Sequence, residues 1–248
     1  MIGLITTLHG RPEITRIVLS YYRSIGHYVG CAAFSDAMAD LPEGWSDFDF
    51  EFVEHPNRPL SDKFNAAARL LRGRGRGVEF ALVIGSDDCL SLDYIDHVAS
   101  LVAKGHDYVR PTVLHNLDMA TGRIERVVAD HFGAGQAISR KLLYECGFEP
   151  WMPSMHNNDR AIGWKAGRLA NAAVTMHEHP PMMALKTSHT LVPWGSTAFC
   201  KSRREITDEE RDGVWLKFPY LKIVLDLVTD DTPKALRPPA HGHERAGT

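Results

Sequence analysis

Phe80-Ala81-Leu82-Val83-Ile84 is a compact apolar run that leads straight into Gly85-Ser86-Asp87-Asp88. A short apolar run bounded by glycine and polar residues reads as a buried strand, and Ser91 can then cap a helix with Ile95, Val98 and Val102 turned inward. The same alternation runs through everything before it. Ile2 to Leu8 is a strand that stops at His9-Gly10-Arg11-Pro12, after which Ile14, Ile17, Val18, Tyr21 and Ile25 recur at helical spacing, with Pro12 suited to a first turn. Tyr28 to Phe34 is a second strand ending at Ser35-Asp36, and Phe48, Phe50 and Phe52 alternate with acids in a third that ends near His55-Pro56. Ser61 can cap a helix carrying Phe64, Ala67, Ala68 and Leu71 on one face. Strand–helix alternation over residues 1–103 predicts an α/β fold, a mostly parallel sheet flanked by helices on both faces. Ligands of such sheets bind beyond the carboxyl ends of the strands, so His9 to Arg11, Ser35-Asp36 and Ser86 to Asp88 converge on one rim.

After Tyr108 the pattern changes. Thr112 to Leu117 and Arg123 to Val128 read as a hairpin turned by Asp118 to Gly122. Gly133, Gly135 and Gln136 lead into a short helix from Ser139 to about Glu145, closed by Gly147. A helical stretch follows Asn157-Asn158-Asp159, and Ala173 to Met176 is a late strand ending at His177-Glu178-His179. Thr207 with Glu210 is a capping-box pattern, with Gly213 and Pro219 expected to keep that helix short, and Leu221, Val224, Leu225 and Val228 mark a last helix. The tail from Pro233, rich in Pro, His, Arg and Gly, reads as disordered.

The whole-chain figures agree with a single large domain. The 248 residues, 44% hydrophobic and 24% charged, have ordinary globular composition. With 28 Lys+Arg against 31 Asp+Glu the formal net charge is -3, which disfavours a dedicated duplex-DNA binder. No apolar run approaches the ~20 residues of a membrane span, and Met1 to Leu8 lacks a signal peptide's basic region, so no membrane anchor and a cytoplasmic location are expected. Cys31, Cys89, Cys146 and Cys200 have no zinc-like or disulfide-like spacing and read as reduced thiols, mostly buried.

Adjacent carboxylates on a tight turn can share a hard divalent cation whose other ligands are phosphate oxygens and water. The same tripeptide, Ser86-Asp87-Asp88, could equally be a turn that caps the next helix. Its neighbours favour the first use. Thr6-Thr7-Leu8-His9-Gly10-Arg11-Pro12, Asp36, Asn57 to Asn65 and Ser86-Asp87-Asp88, in this order, resemble the motifs of the family-two glycosyltransferases of the GT-A fold, over roughly residues 1–190. The resemblance implies a GT-A (Rossmann-like) sheet, residues 1–200, with a nucleotide-sugar-binding half (1–110) and an acceptor-side half (111–200). A C-terminal helical extension (201–232) and the tail (233–248) would follow.

It further implies that Thr6, Thr7, His9, Arg11, Asp36, Lys63, Asn65, Ser86 and Asp87 bind the nucleotide-sugar, most commonly a UDP-sugar. Ser86 replaces the first acid of the family's acidic motif, so Asp88 becomes the metal ligand, for Mn²⁺ or Mg²⁺, and Asp87 the ribose ligand. One histidine at most among His177, His179 and His189 would complete the coordination, since alternate residues of a strand face opposite ways. Gly135, Gln136, Asn158 and Trp151 belong to the acceptor side, and Asp159 stands where inverting members carry the catalytic base.

Arg72-Gly73-Arg74-Gly75-Arg76-Gly77 lies in a helix-to-strand connection, at the end of the sheet away from the rim, and reads as a solvated loop. Lys201, Arg203 and Arg204 form a second basic cluster that could close over a diphosphate or an acceptor, and Trp151, Trp164 and Trp194 could stack on a ring. The acceptor is open among a glycan, a protein and a modified nucleic-acid base; for a phage-encoded enzyme of this kind the location would be the host cytoplasm. Two other readings use the same sheet. A GT-A-like nucleotidyltransferase would want a richer glycine loop than Gly10-Arg11, and a non-catalytic carbohydrate- or protein-binding module would bind independently of Asp88.

Overall fold

The computed structural model describes residues 1–26, 28–74, 77–153, 165–187 and 200–230. Strands β1 (Ile2–Thr7), β2 (Tyr28–Phe34), β3 (Phe50–Glu54) and β4 (Phe80–Val83) form the parallel half of a sheet. β1 lies between β2 and β4, with Ile5 opposite both Cys31 and Val83. Helices α1 (Pro12–Ile25) and α3 (Leu60–Arg74) cover opposite faces, and the single-turn α2 (Ala37–Asp40) follows β2. The period-2 alternation of β1 decides which face each long helix takes: Leu4 packs with Ile14, Ile17, Val18 and Tyr22 of α1, while Ile5 packs with Phe64, Ala67, Ala68 and Leu71 of α3.

The sheet continues through β6 (Tyr108–Pro111), β9 (Ala137–Ser139) and β10 (Ala173–Met176), in the order β10-β6-β9-β4-β1-β2-β3. All pairings are parallel except those of β9, which is antiparallel to both β4 and β6. This is the expected α/β architecture, a mostly parallel sheet flanked by helices. Ser91 caps α4 (Leu92–Ala103) through Tyr94 N–H, and Ser139 caps α5 (Arg140–Glu145) through Leu142 N–H. Ser61 is not a cap. α3 starts a residue earlier, with Asp62 N–H and Lys63 N–H both donating to Pro59 O, and Ser61 is buried in its first turn.

A second, five-stranded sheet was not foreseen. Its order is β12-β8-β7-β11-β5, where β5 is Asp88–Leu90, β7 Val113–Asp118, β8 Ile124–Val128, β11 Met182–Lys186 and β12 Ser202–Glu205. The expected hairpin is β7–β8, its turn held by Gly122 N–H on Asp118 O. Asp88, read as part of the turn that follows Phe80 to Ile84, instead opens β5. The Gly85–Asp87 turn therefore carries the chain from one sheet to the other.

Thr207 and Glu210 complete the capping box of a helix, Asp208–Leu216, which tolerates Gly213, and Pro219 opens the next, Pro219–Asp230. Val214, Phe218, Leu221, Val224 and Leu225 join the core around α1, with the Phe218 and Tyr21 ring centroids 6.2 Å apart. Cys31, Cys89 and Cys146 are buried, and no disulfide forms among the described residues. No helix among them is long and apolar enough to cross a membrane.

Tyr22 of α1 ties the two sheets together: its hydroxyl donates to Asp88 O and accepts from Leu90 N–H, both at 3.2 Å. Tyr22→Phe strands two buried backbone groups and should cost about 1–3 kcal/mol in urea unfolding. Tyr28→Phe removes a buried hydroxyl that has no partner among the described residues and should change the urea midpoint little.

Candidate functional site

Three strand ends of the first sheet meet as expected, and a buried carboxylate organises them. Asp40, at the end of α2, is 1% exposed and accepts from Gly10 N–H and Ser35 N–H at 2.7 Å each and from Asp36 N–H at 3.2 Å. Burial pushes its carboxyl up, but these donors and the nearby Lys63 ammonium outweigh that and hold it below the usual carboxylate range. Asp40 thus stitches the loop after β1 to the loop after β2. The local sequence marks only part of this role: Ser35 and Asp36 are near neighbours, but Gly10 is 30 positions away and the counter-charge comes from α3.

Lys63 serves the same joint. Its Nζ donates to Leu8 O, to Ser35 Oγ at 2.7 Å and to Asn57 Oδ1 at 3.2 Å, with Asp40 Oδ2 at 3.8 Å, and its side chain is fully buried. It stands behind the rim, not on it. Asn65 likewise faces inward, exchanging 3.1 Å hydrogen bonds with the backbone N–H and O of Trp151, which stacks on Phe64 at 4.9 Å and is 1% exposed. Thr6 is buried, Thr7 half-buried, and His9 exposed with Nδ1 3.6 Å from Asp40. Asp36 is exposed at the end of β2, where its side chain caps α2 through Met38 N–H at 2.9 Å.

At the acidic turn the structure brings Arg11, Ser86 and Asp87 together. Arg11 Nη2 donates to Ser86 Oγ at 2.8 Å, and Nη1 pairs with Asp87 Oδ2 at 3.2 Å. From the second sheet Lys186 Nζ reaches the same Oδ2 at 3.1 Å. Burial pushes the Asp87 carboxyl up, but Lys186 and Arg11 together hold it below the usual range. Asp88 is the opposite case. Burial, and then the charge of Asp87, push its carboxyl well up, and among the described residues it makes no ion pair. Its Oδ2 accepts from Gly85 N–H at 2.7 Å, a contact that requires glycine, since a Cβ there would sit 2.5 Å from that oxygen.

A buried carboxylate that lacks a counter-cation, beside one that has two, is donor chemistry that a hard divalent cation completes. No three His, Cys, Asp or Glu side chains gather among the described residues, so a cation held by Asp88 would draw its other ligands from phosphate, water or residues outside that set. Ala184 of β11 pairs with Asp88, so Lys186 lies alongside the acidic turn, while His177 and His179 precede the far end of β11. His177 is exposed, and His179 lies edge-on to Tyr94 with centroids 5.2 Å apart. Asn158, Asp159, His189, Trp164, Trp194 and the tail lie outside the described residues.

The glycine loop closes one side. Gly135 N–H donates to Val83 O and Gly135 O accepts from Tyr94 OH; at φ +76 its missing Cβ would stand 2.2 Å from Met182 Sδ. Gln136 is buried, held by Tyr108 OH and Phe132 O at 2.8 Å each. On the other side Asp88, Ala184, Asn116 and Glu125 form one row across β5, β11, β7 and β8, which puts Glu125 about 14 Å from Asp88. Glu125 accepts from Asn116 Nδ2 and pairs with Arg203. Lys201 and Arg204 are matched in turn by Asp130 and Glu210. Each cation of that cluster therefore already has its own acid.

No protein-family model matches the chain, and no curated protein matches it. Among solved structures it is similar to S. aureus TarS 1–349 in complex with UDP-GlcNAc, with TM-score 0.51 and 12% identity over 76% of this chain and 59% of that one. Bifunctional IspDF from Campylobacter jejuni gives TM-score 0.45 and 13% identity over 72% of this chain and 50% of that one. The manganese complex of Rv0371C from Mycobacterium tuberculosis H37Rv gives 0.42 and 14% over 74% and 90%. The chain thus spans 59% of the TarS fragment, and the likeness to it establishes a GT-A-like fold.

Burial brings the Lys63 ammonium down to about 8, against the pull of Asp40. The unfolded chain then binds more protons than the folded one between that value and the ordinary lysine pKa of about 10.4. The Lys63 contribution is therefore complete above the ordinary lysine value and is lost as pH falls through the folded one. In urea unfolding from pH 7.5 to 10.5, the wild-type-minus-Lys63→Met stability difference should rise with pH; a flat difference would show that the ammonium is not desolvated.

Proposed function

We propose that this chain is a glycosyltransferase that moves a sugar from a nucleoside diphosphate donor to an acceptor hydroxyl. The observation that carries the reading is the buried acidic turn Ser86–Asp88 at the carboxyl ends of β1 and β4 of a GT-A-like sheet, bridged to the loop after β1 by Arg11. The UDP-GlcNAc bound to TarS supports a UDP-sugar as donor. Asp36, exposed at the end of β2, would take the base or ribose, and Thr7, His9 and Arg11 would line the loop over the phosphates. Thr6, Lys63 and Asn65 would act from behind, by holding the loops in place. Asp87, matched to two cations, would orient them and offer its remaining acceptor capacity to the ribose.

Asp88 would hold Mn²⁺ or Mg²⁺, which when bound supplies charge neutralisation to the departing diphosphate. His189, three residues beyond Lys186, is the histidine we favour as a further ligand over His177 and His179. On the acceptor side the Gly135 backbone would face the incoming group while Gln136 and Trp151 brace the wall behind it, with Asn158 beside the base. Asp159 would take the acceptor hydroxyl's proton as its oxygen bonds to the anomeric carbon opposite the leaving diphosphate, which inverts that centre. Residues 1–110 would thus supply most of the donor site and residues 111–200 the acceptor side. The acceptor class, glycan, protein or modified base, follows from none of these contacts.

Stabilisation by ligand follows mass action, so a donor at about 100 times its dissociation constant adds about 2.7 kcal/mol. In a chain of this size that is roughly 5–10 °C in Tm. A thermal-shift screen of nucleoside diphosphates and nucleotide-sugars with and without Mn²⁺ should find one such ligand, with the metal-dependent part of the shift lost in Asp88→Ala. Silence across every nucleotide and metal condition would overturn the reading. Once an acceptor is found, Asp159→Asn should lower kcat by about 10²–10⁴ while leaving the donor's thermal shift in place.

A further inference from the structure

Lys186 belongs to none of the motifs along the chain, yet it ends inside the acidic turn. It is the last residue of β11, 9% exposed, and its neighbour Leu185 donates its N–H to Asp87 O at 2.7 Å, which fixes the strand end against the turn. Its ammonium meets Asp87 Oδ2 at 3.1 Å, and Arg11 Nη1 meets that same oxygen at 3.2 Å from the opposite sheet. Two cations that share one carboxylate oxygen stand within the span of a single diphosphate. Among the described residues Asp87 is the carboxylate they contact directly, Asp88 beside it feels both charges without an ion pair, and Ser86, where an acid would otherwise stand, takes a hydrogen bond from Arg11. Arginine's planar fork has further donors to offer and the lysine ammonium has three, so neither cation is exhausted by Asp87.

We propose that Lys186 and Arg11 form a clamp for the donor's diphosphate, held ready by Asp87 and assembled from both sheets. This rests on reading the acidic turn as the donor site, and it adds a residue to that site. Phosphate oxygens take charge-assisted hydrogen bonds from both cations, which neutralise the diphosphate when bound and again as charge builds on it during departure. Because the cations belong to the protein, diphosphate binding persists without a divalent metal.

The probe is inorganic pyrophosphate, titrated calorimetrically into the full chain in EDTA and again with Mn²⁺, at two salt concentrations. The native chain should bind it in EDTA, and Lys186→Gln and Arg11→Gln should each weaken it about tenfold or more. Lys186→Arg, which keeps the charge, should retain most of the affinity and, if Lys186→Gln does not fold, carries the test together with Arg11→Gln. A smaller salt dependence in the Gln variants separates lost phosphate contact from a merely structural effect. No pyrophosphate binding in EDTA, or affinity unmoved by either Gln variant at an unchanged melting temperature, would overturn the clamp. Pyrophosphate bound through Lys186 with no nucleotide-sugar stabilising the chain would leave the clamp and remove the glycosyl-transfer reading; turnover with unmoved pyrophosphate affinity would do the reverse.

Discussion

Two adjacent carboxylates taken out of water, Asp87 and Asp88, set the terms for everything around them. A buried anion is tolerated only when donors or opposite charges replace the water it has lost. Asp87 gains two cations, one from the loop after β1 and one from the end of β11, and Asp88 gains a single backbone N–H. The turn that carries them is also where the chain passes from one sheet to the other. The electrostatic requirement and the topology therefore coincide: satisfying Asp87 brings Arg11 of one sheet and Lys186 of the other to a single point, while Asp88 keeps only its backbone donor.

The same rule explains the layer behind the rim. Asp40 and Lys63 are both buried, and between them they satisfy three backbone N–H groups, a carbonyl and two side chains from three separate loops. Loops at strand ends leave polar backbone groups that must be paired if the loop is to be buried. Here one carboxylate and one ammonium supply the partners, which keeps the exposed positions Asp36 and His9 on a fixed frame. Asn65 and Trp151 perform the equivalent task on the far wall through a reciprocal pair of hydrogen bonds. Residues that resemble nucleotide ligands by position thus hold the site's shape from within.

Much of the first sheet was legible. Strands β1 to β4, the long helices α1 and α3, the β7–β8 hairpin, the Ser91 cap, the short helix that begins near Ser139 and the Thr207 capping box all announce themselves through local periodicity or local hydrogen-bonding chemistry. β5, β9, β11 and β12 do not. Each is three to five residues long, too short for alternation to register, and each is a strand only because a partner distant in sequence supplies the ladder. Ala137–Ser139 is squeezed between β4 and β6, and Met182–Lys186 is apolar at nearly every position because both its faces are covered.

The site divides the same way. Gly85-Ser86-Asp87-Asp88 after an apolar strand, and His9 to Arg11 after another, determine by themselves that polar groups gather at one end of a parallel sheet, because strand direction is written into the order of the elements. Their roles were decided by tertiary contact. Whether a carboxylate is matched or left needing a cation depends on which charges other parts of the chain bring within about 4 Å, and Coulomb interactions in a low-dielectric interior are governed by that distance, not by sequence separation. Asp87 and Lys186 are 99 residues apart and Asp87 and Arg11 are 76 apart. Only the folding of two sheets against one turn makes them a single site.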